Sequence, residues 1–310
     1  MVDRLANDLA FARKFRPTSF EGYVGNQEVK DTIIRYLKKS IPQSVLLMGN
    51  SGCGKTTMGR ILEREVLCEN RDPEHGACGE CLMCTLMEEY ITTGRDDDLP
   101  DVYEIDCTEA SGKNDIDTLL STIDYPATGG GWKIYLLDEV HKLSSGAMNR
   151  ILKVLEEPPE YVLMILCTTN PEQLLDTIKN RCQLKLTIKK PSSMDLIPLL
   201  KRVCLEEGKS YDVQGLRMVI SRSDFVVRDC LNNLETVLTT RGDATAENVS
   251  KQFHEVTDQI IFNFYEAYIK KDYVGYSQVL YRVKTEFSFN QFLSSLTTFT
   301  TRGIYILNGV

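Results

Sequence analysis

Long hydrophobic runs and an excess of positive charge are both missing from this sequence. No stretch of about eighteen apolar residues occurs, so no segment has the length and hydropathy of a transmembrane helix. The 36 Lys and Arg residues are outnumbered by 44 Asp and Glu, which gives a formal net charge of −8. Such a chain has no overall attraction for nucleic acid, so any such contact depends on a local basic surface or on helix N-termini. The first residues carry both acidic and basic side chains, a composition that differs from that of a signal peptide. We therefore expect a cytoplasmic protein with no membrane partner.

Ten cysteines are present, and in a cytoplasmic chain they are not expected to form disulfides. Four of them cluster with the spacing C-x9-C-x2-C-x2-C: Cys68, Cys78, Cys81 and Cys84. Four thiolates suit tetrahedral zinc, and because the pattern leaves no ligand position open it predicts a structural site. Four buried or free thiols, or competition from His75 for the metal, are the alternatives. The remaining cysteines lie among apolar neighbours and are expected to pack as small hydrophobic residues: Cys53, Cys107, Cys167, Cys182, Cys204 and Cys230.

A glycine-rich segment fits the phosphate-loop pattern G-x-x-x-x-G-K-[ST] and follows the apolar run Val45–Met48. In this pattern the glycines turn main-chain N–H groups around a triphosphate, and the next helix presents its N-terminus to the same anion. Lys55 is expected to neutralise the β- and γ-phosphates, and Thr56 to bind Mg²⁺. The amphipathic run Met58–Leu67 that follows argues against a simple Gly-rich turn. The predicted nucleotide-binding residues of the loop are Gly49, Asn50, Ser51, Gly52, Cys53, Gly54, Lys55, Thr56 and Thr57.

Two carboxylates follow the apolar run Ile134–Leu137. Behind a buried parallel strand, and with the phosphate loop upstream, Asp138 is expected to hold Mg²⁺. Glu139 is expected to polarise the water that attacks the γ-phosphate, and a glutamate at this position favours hydrolysis over mere nucleotide binding. The alternative is that the pair only caps the next helix, which is a common role for such residues.

The next apolar run, Tyr161–Cys167, ends in the polar residues Thr168–Asn170. Thr169 is our choice for a side chain that contacts the γ-phosphate or the attacking water; its two neighbours are close alternatives, and a turn cap is the other interpretation. Between the two runs, Leu143–Glu157 has the pattern of an amphipathic helix. Strands and helices thus alternate through residues 45–190, which predicts the α/β class with a parallel sheet covered by helices.

Five segments, in this order and spacing, resemble the ATPase subunits of bacterial sliding-clamp loaders, the gamma/tau family of DNA polymerase III: Ala12–Phe20, the phosphate loop, the four cysteines, Leu137–Leu143 and Leu155–Pro159. The resemblance covers roughly residues 11–240. It implies an AAA+ P-loop sheet with a zinc-knuckle insertion, a small helical lid and an all-α C-terminal collar. The implied domains are 1–190 for the ATPase core with its insertion at 68–84, 191–243 for the lid and 244–310 for the collar, which is short.

The resemblance also implies roles for single residues. Arg181, in an N-R-C segment, resembles the arginine that reaches in trans into a neighbouring subunit's ATP site. Arg228 resembles the lid arginine that senses the γ-phosphate in cis, although Phe225–Val227 stand where the family has small residues. Val24, together with Tyr23, is expected to hold the adenine base. The alternatives are that Arg181 is an ordinary surface arginine and that Arg228 lies on the surface of a helix. For Tyr23 and Val24 the alternative is a place in the hydrophobic core.

The function implied by the resemblance is the ATP-driven loading of a ring-shaped sliding clamp onto primer–template DNA. The implied cofactors are ATP, Mg²⁺ and Zn²⁺, and the implied partners are the clamp, the DNA and other clamp-loader subunits in a pentamer. Lys113 follows the predicted strand Val102–Asp106 at the start of a helix and is a candidate phosphate contact, with a solvated loop as the alternative.

Two functions of other classes are the alternatives. A DNA branch-migration motor shares the ATPase core, but it is expected to carry a winged helix and to lack the cysteine knuckle. An inactive scaffold is expected to lose the phosphate loop, whereas this chain keeps Lys55, Thr56, Asp138 and Glu139.

Overall fold

The computed structural model describes residues 10–94, 99–108, 118–128, 131–253, 256, 258–287 and 289–307. Its strands are β1 (Ser44–Met48), β2 (Val102–Asp106), β3 (Lys133–Asp138), β4 (Val162–Thr168) and β5 (Leu184–Thr187). They form one parallel sheet in the order β2-β3-β4-β1-β5. The parallel α/β sheet that the sequence predicts is therefore confirmed.

The interior strands β1, β3 and β4 are buried along almost their whole length. Leu46 and Leu166 point into one apolar cluster, whereas Leu47 and Ile165 point into the other. Because successive side chains of a strand face opposite sides of the sheet, each strand contributes to both clusters. Burial on both faces explains why these strands have continuous apolar sequences without polar alternation.

Helices cover the sheet and make up most of the C-terminal part of the described chain. They are α1 (Phe11–Lys14), α2 (Gln27–Leu37), α3 (Lys55–Leu67), α4 (Leu82–Thr93), α5 (Ser145–Glu156), α6 (Asp176–Arg181), α7 (Ser193–Glu206), α8 (Val213–Arg222), α9 (Val227–Arg241), α10 (Ala246–Phe253), α11 (Asp258–Lys270), α12 (Tyr273–Glu286) and α13 (Phe289–Leu307). Among the described residues, no helix combines the length and hydropathy that crossing a bilayer requires.

The chain separates into two compact units. The first consists of Met1–Leu199 and Ser223–Asn232 and contains the sheet. The second consists of Leu200–Arg222 and Asn233–Val310 and is helical through most of its described residues. One of its apolar clusters joins α11, α12 and α13 and is built on Val256, Ile260, Ile261, Val283 and Phe292.

Candidate functional site

The loop between β1 and α3 has a backbone that only glycine accommodates at two positions. Gly54, directly before α3, has φ = 101°, in the left-handed region that other residues rarely adopt. A Cβ atom on Gly54 would lie 2.6 Å from the hydroxyl oxygen of Tyr23. A Cβ atom on Gly49 would lie 2.3 Å from the carbonyl oxygen of Ile188. The shape of the loop therefore requires glycine at positions 49 and 54.

Lys55 begins α3 and is buried, with 5% of its surface exposed. Its Nζ donates hydrogen bonds to the carbonyl oxygens of Gly49 at 3.0 Å and Asn50 at 3.1 Å. The carbonyls are neutral and do not cancel the ammonium charge, and the free N–H groups at the start of α3 add partial positive charge. The loop and the helix end together form a site that favours an anion.

Asp138 lies at the end of β3, next to the start of α3. Its Oδ2 accepts a hydrogen bond from Thr56 Oγ1 at 2.5 Å, and its Oδ1 accepts one from the main-chain N–H of Glu139 at 2.9 Å. Burial raises the pKa of Asp138, and the hydrogen bond from Thr56 partly offsets the rise. A hydroxyl and a carboxylate in contact provide the oxygen ligands that Mg²⁺ prefers.

Glu139 has φ = 51°, an unusual backbone conformation for a residue other than glycine. Its Oε2 accepts hydrogen bonds from the main-chain N–H of Thr169 at 3.1 Å and from the hydroxyl of Thr169 at 2.8 Å. His141 is buried beside them, with Nδ1 at 3.3 Å from the same oxygen and at 3.0 Å from Thr168 Oγ1. The tip of β4 therefore holds the carboxylate that the sequence marks as the base.

These groups surround a cavity of about 390 Å³, within the size range of small-molecule sites. Its lining combines polar groups of the loop, the two carboxylates, apolar side chains and three arginines: Ser51, Gly52, Cys53, Gly54, Lys55, Thr56, Thr57, Asp138, Glu139, Tyr23, Val24, Leu199, Val227, Leu231, Arg16, Arg60 and Arg228, among others. The lining thus offers charged and polar groups for phosphates and apolar side chains for a base. The cavity thus fits a nucleoside triphosphate with a magnesium ion.

Arg60 projects from α3 into this cavity and is held by two neighbours. Glu104 of β2 accepts hydrogen bonds from its Nε at 2.8 Å and its Nη2 at 2.9 Å. The guanidinium carbon of Arg60 lies 4.5 Å from the ring centroid of Tyr90 on α4. The Tyr90 hydroxyl donates a hydrogen bond to the same Glu104 carboxylate. Arg60 is therefore fixed by charge, hydrogen bonds and stacking.

Arg16 lines the same cavity and donates a hydrogen bond from Nη1 to the carbonyl oxygen of Ile91 at 3.1 Å. Burial and, after it, the nearby charges of Arg60 and Arg228 together lower the pKa of Arg16 to about 10, although Glu104 raises it in part. Three like charges thus share one cavity. An anion bound there would relieve their mutual repulsion.

Arg181, at the end of α6, does not line this cavity. Its Nη2 forms an ion pair with Glu156 Oε1 at 2.6 Å, and both side chains are partly exposed. An arginine held at the surface is available to a second molecule.

The four clustered cysteines are brought together by α3, the following loop and α4. Their sulfur atoms all lie within 4.8 Å of one another. Main-chain N–H groups of Glu80 and Cys81 point at Cys78 Sγ and lower the pKa of Cys78 to about 6, whereas burial raises the pKa of Cys84. His75 lies in the loop with its Nδ1 3.0 Å from Asp72, and it does not belong to this group. The cluster is compatible with a zinc ion.

All six other cysteines are buried, as predicted.

The structure thus brings together the predicted loop residues from Ser51 to Thr57, Val24, Asp138, Glu139 and Arg228, with Gly49 and Asn50 bonded to Lys55 and Thr169 bonded to Glu139. Lys113, the candidate DNA contact, lies outside the described residues.

Sequence reasoning missed Arg16, Arg60, Glu104 and His141. Two signals were present: Arg60 follows Thr56 by four residues on α3, and Glu104 lies on the same face of β2 as Asp106, another residue of the lining.

Comparison with known proteins identifies relatives of this chain. The family described as "DNA polymerase III, delta subunit" matches residues 25–191. The gamma subunit of DNA polymerase III from Buchnera aphidicola subsp. Acyrthosiphon pisum is 31% identical over 266 residues, which are 84% of this chain and 70% of that protein.

The tau subunit from Bacillus subtilis is 33% identical over 76% of this chain, and the tau subunit from Escherichia coli is 31% identical over 84% of it. The chain spans about 40% of the length of each of these two tau subunits. A full statement of their activities therefore does not transfer to it directly.

Among solved structures, the Thermotoga maritima RuvB Holliday junction branch migration motor superposes with a TM-score of 0.58. The match covers 82% of this chain and 80% of RuvB at 17% sequence identity. At this identity the likeness concerns the fold alone.

Proposed function

The chain belongs to the gamma/tau family of DNA polymerase III clamp-loader subunits, and from this premise we propose that it uses ATP to open a sliding clamp and to load it onto primer–template DNA. One observation carries the proposal: a phosphate loop, a Thr56–Asp138 pair and Glu139 meet in one cavity of about 390 Å³. This is the set of groups that phosphoryl transfer to water requires.

In this proposal the loop N–H groups and Lys55 bind the triphosphate, and Arg228 contacts its γ-phosphate. Thr56 and Asp138 hold Mg²⁺, which when bound neutralises charge on the β- and γ-phosphates. Glu139 orients the attacking water and accepts its proton. Because Thr169 donates two hydrogen bonds to Glu139, we propose that Thr169 controls whether this carboxylate faces the water. Tyr23 and Val24 form the base-binding wall.

Arg181 acts in trans in the proposed mechanism. It lies outside its own chain's cavity and is paired with Glu156 at the surface, a placement consistent with donation to the ATP site of an adjoining subunit. A cation supplied there stabilises the charge that develops on the transferred phosphoryl group. In this mechanism ATP hydrolysis depends on the assembly of adjoining subunits.

The four cysteines hold a structural zinc ion in this proposal. Tetrahedral Zn–S bonds of about 2.3 Å require sulfur atoms roughly 3.8 Å apart. The pairs Cys78–Cys84 and Cys68–Cys81 have sulfur separations of 4.0 Å. The donor set and its spacing therefore fit zinc with a small adjustment.

The proposed domains remain the ATPase core at 1–190, the lid at 191–243 and the collar at 244–310. The collar assembles with other clamp-loader subunits, several copies of this chain forming part of a pentamer in the cytoplasm. Exposed aromatic side chains on its helices support this, because Phe262, Tyr268 and Tyr273 are 52%, 68% and 78% exposed. DNA is contacted through its backbone without sequence preference, with Lys113 as a candidate residue.

ATP hydrolysis in the presence of DNA and clamp tests this function. For a clamp loader we expect strong stimulation by primed DNA and a cognate clamp together. Stimulation by junction DNA alone would instead indicate a branch-migration motor. The absence of turnover under any of these conditions would indicate a scaffold.

A further inference from the structure

The cysteine cluster joins two helices, of which α3 lines the nucleotide cavity and α4 contacts two of the arginines that line it. Cys68 directly follows α3, whose first turn contains Lys55, and Cys84 lies in the first turn of α4. With all four sulfur atoms within 4.8 Å of one another, a metal at this point would tie the C-terminal end of α3 to the N-terminal end of α4.

Helix α4 is packed firmly enough to transmit such a constraint. Its residues Met87, Tyr90 and Ile91 are buried in one apolar cluster with Val102 of β2, and Leu67 of α3 packs against them. Close-packed side chains have little room to absorb a displacement. A shift at the cysteines would therefore move the far end of α4.

That far end holds two of the cavity's arginines. The carbonyl oxygen of Ile91 accepts hydrogen bonds from Arg16 Nη1 at 3.1 Å and from Arg60 Nη1 at 3.5 Å. Tyr90 stacks on Arg60 and donates its hydroxyl hydrogen to Glu104, which in turn binds Arg60. The positions of both guanidinium groups depend on the last turn of α4.

A polyvalent anion is the ligand that these arginines suit. Arg16, Arg60 and Arg228 line the cavity beside the phosphate loop, and Arg60 has the carboxylate of Glu104 as its partner. Positive charges that lie close together repel one another, and an anion with several negative charges bound between them reduces this repulsion. A triphosphate in the loop brings such charges.

We propose that α4, anchored by the four cysteines, holds Arg16 and Arg60 where they contact the nucleotide phosphates, so that metal occupancy of the cysteines and ATP binding are thermodynamically coupled. The inference rests on the proposed ATP site in this cavity. It gives the cysteine insertion a role in nucleotide affinity beyond holding its own loop together. Linkage makes the effect reciprocal: the factor by which zinc raises ATP affinity is the factor by which ATP raises zinc affinity.

The first test measures both affinities on the full chain. A fluorescent ATP analogue is titrated into zinc-loaded protein and into protein freed of metal by a chelator, and zinc affinity is measured with and without ATP. We expect metal removal to weaken ATP binding about tenfold, and ATP to tighten zinc binding by the same factor. Equal ATP affinity in both forms, with helical content preserved, would overturn the inference. Failure of zinc-loaded protein to bind ATP would instead overturn the proposed function, and the inference with it.

A variant that leaves the cysteines intact covers the case in which metal-free protein loses its structure. Tyr90→Phe removes the hydrogen bond to Glu104 while keeping the ring. We expect it to bind zinc fully and to weaken both ATP binding and the zinc–ATP coupling severalfold. Glu89→Gln changes the exposed neighbour on the same turn and is the matched control, expected to behave like the wild type. ATP affinity and coupling unchanged in Tyr90→Phe would refute the role of α4.

Discussion

Single charged side chains in this molecule differ in how their charge is compensated. Lys55 and Asp138 have hydrogen-bond partners at the nucleotide cavity, whereas Glu63 of α3 is fully buried. Neither of its carboxylate oxygens has a hydrogen-bond partner among the described residues. Burial and then the charge of Glu104 raise the pKa of Glu63 to about 8, although Arg60 lowers it in part. Glu63 is therefore mainly a neutral acid in the folded protein at pH 7.

Glu63→Gln should stabilise the protein in alkaline solution. Between the ordinary pKa of 4.5 and the folded-state value of about 8, the folded protein keeps a proton that the unfolded chain has lost. The free energy of unfolding of the wild type therefore falls as pH rises through this window and levels off above it, by roughly 5 kcal/mol in total. Thermal melting is measured at about pH 5 and about pH 9. Between these two values, the Tm of the wild type should fall by more than the Tm of the variant.

The matched control is Glu21→Gln, which neutralises an exposed glutamate and should leave the pH dependence unchanged. Parallel Tm curves for wild type and Glu63→Gln would show that the carboxyl is not protonated in the folded state.

Arg181→Ala should abolish hydrolysis while preserving ATP binding. The side chain lies outside the cavity of its own chain, so its loss should leave the pocket intact and remove only the charge that we propose acts on a neighbour. We expect turnover to fall about a thousandfold, as for other arginines supplied in trans. The exposed pair with Glu156 should contribute less than about 1 kcal/mol to stability.

Steady-state hydrolysis and ATP-analogue binding measure the two effects separately. Lys179→Ala, which removes another cation of α6 paired with Asp176, is the control and should retain turnover. Undiminished hydrolysis by Arg181→Ala would contradict the trans assignment.

Among the elements, the loop between β1 and α3 depends on its glycines for its shape. Gly54→Ala should weaken ATP binding at least tenfold, because the new Cβ atom would meet the Tyr23 hydroxyl at 2.6 Å and deform the loop. Gly208→Ala is the matched control: Gly208 also has a positive φ, of 64°, but no atom lies within 4 Å of its added Cβ. Both variants carry the backbone cost of about 1 kcal/mol. An ATP affinity equal to that of the control would show that the loop tolerates the contact.

The sheet and the phosphate loop were predictable from local sequence. The runs Val45–Met48 and Ile134–Leu137 are apolar because both faces of their strands are covered, and the loop pattern needs only neighbouring residues. The arginine cluster was not predictable in this way. Arg16 and Ile91 are 75 positions apart, and their contact depends on how α4 packs after the cysteine loop. Packing between distant segments leaves no periodic signal in either of them.

At the scale of the whole molecule, the proposed mechanism leaves each chain with an incomplete catalytic site. Lys55, Asp138 and Glu139 meet in one cavity of the chain, and Arg181 lies elsewhere on its surface. We propose that these parts combine in an assembly that contains several copies of this chain. The rate of hydrolysis per chain should therefore rise with protein concentration until assembly is complete.

Mixing two inactive variants tests this division of labour most directly. Lys55→Ala removes the phosphate-binding cation but keeps Arg181, whereas Arg181→Ala keeps an intact ATP cavity. Each variant alone should hydrolyse ATP at no more than about a hundredth of the wild-type rate. Combined in equal amounts with primed DNA and clamp, they should regain a substantial part of that rate, because the first variant donates its arginine to the cavity of the second. A mixture as inactive as its components, in assemblies verified to contain both chains, would contradict the account.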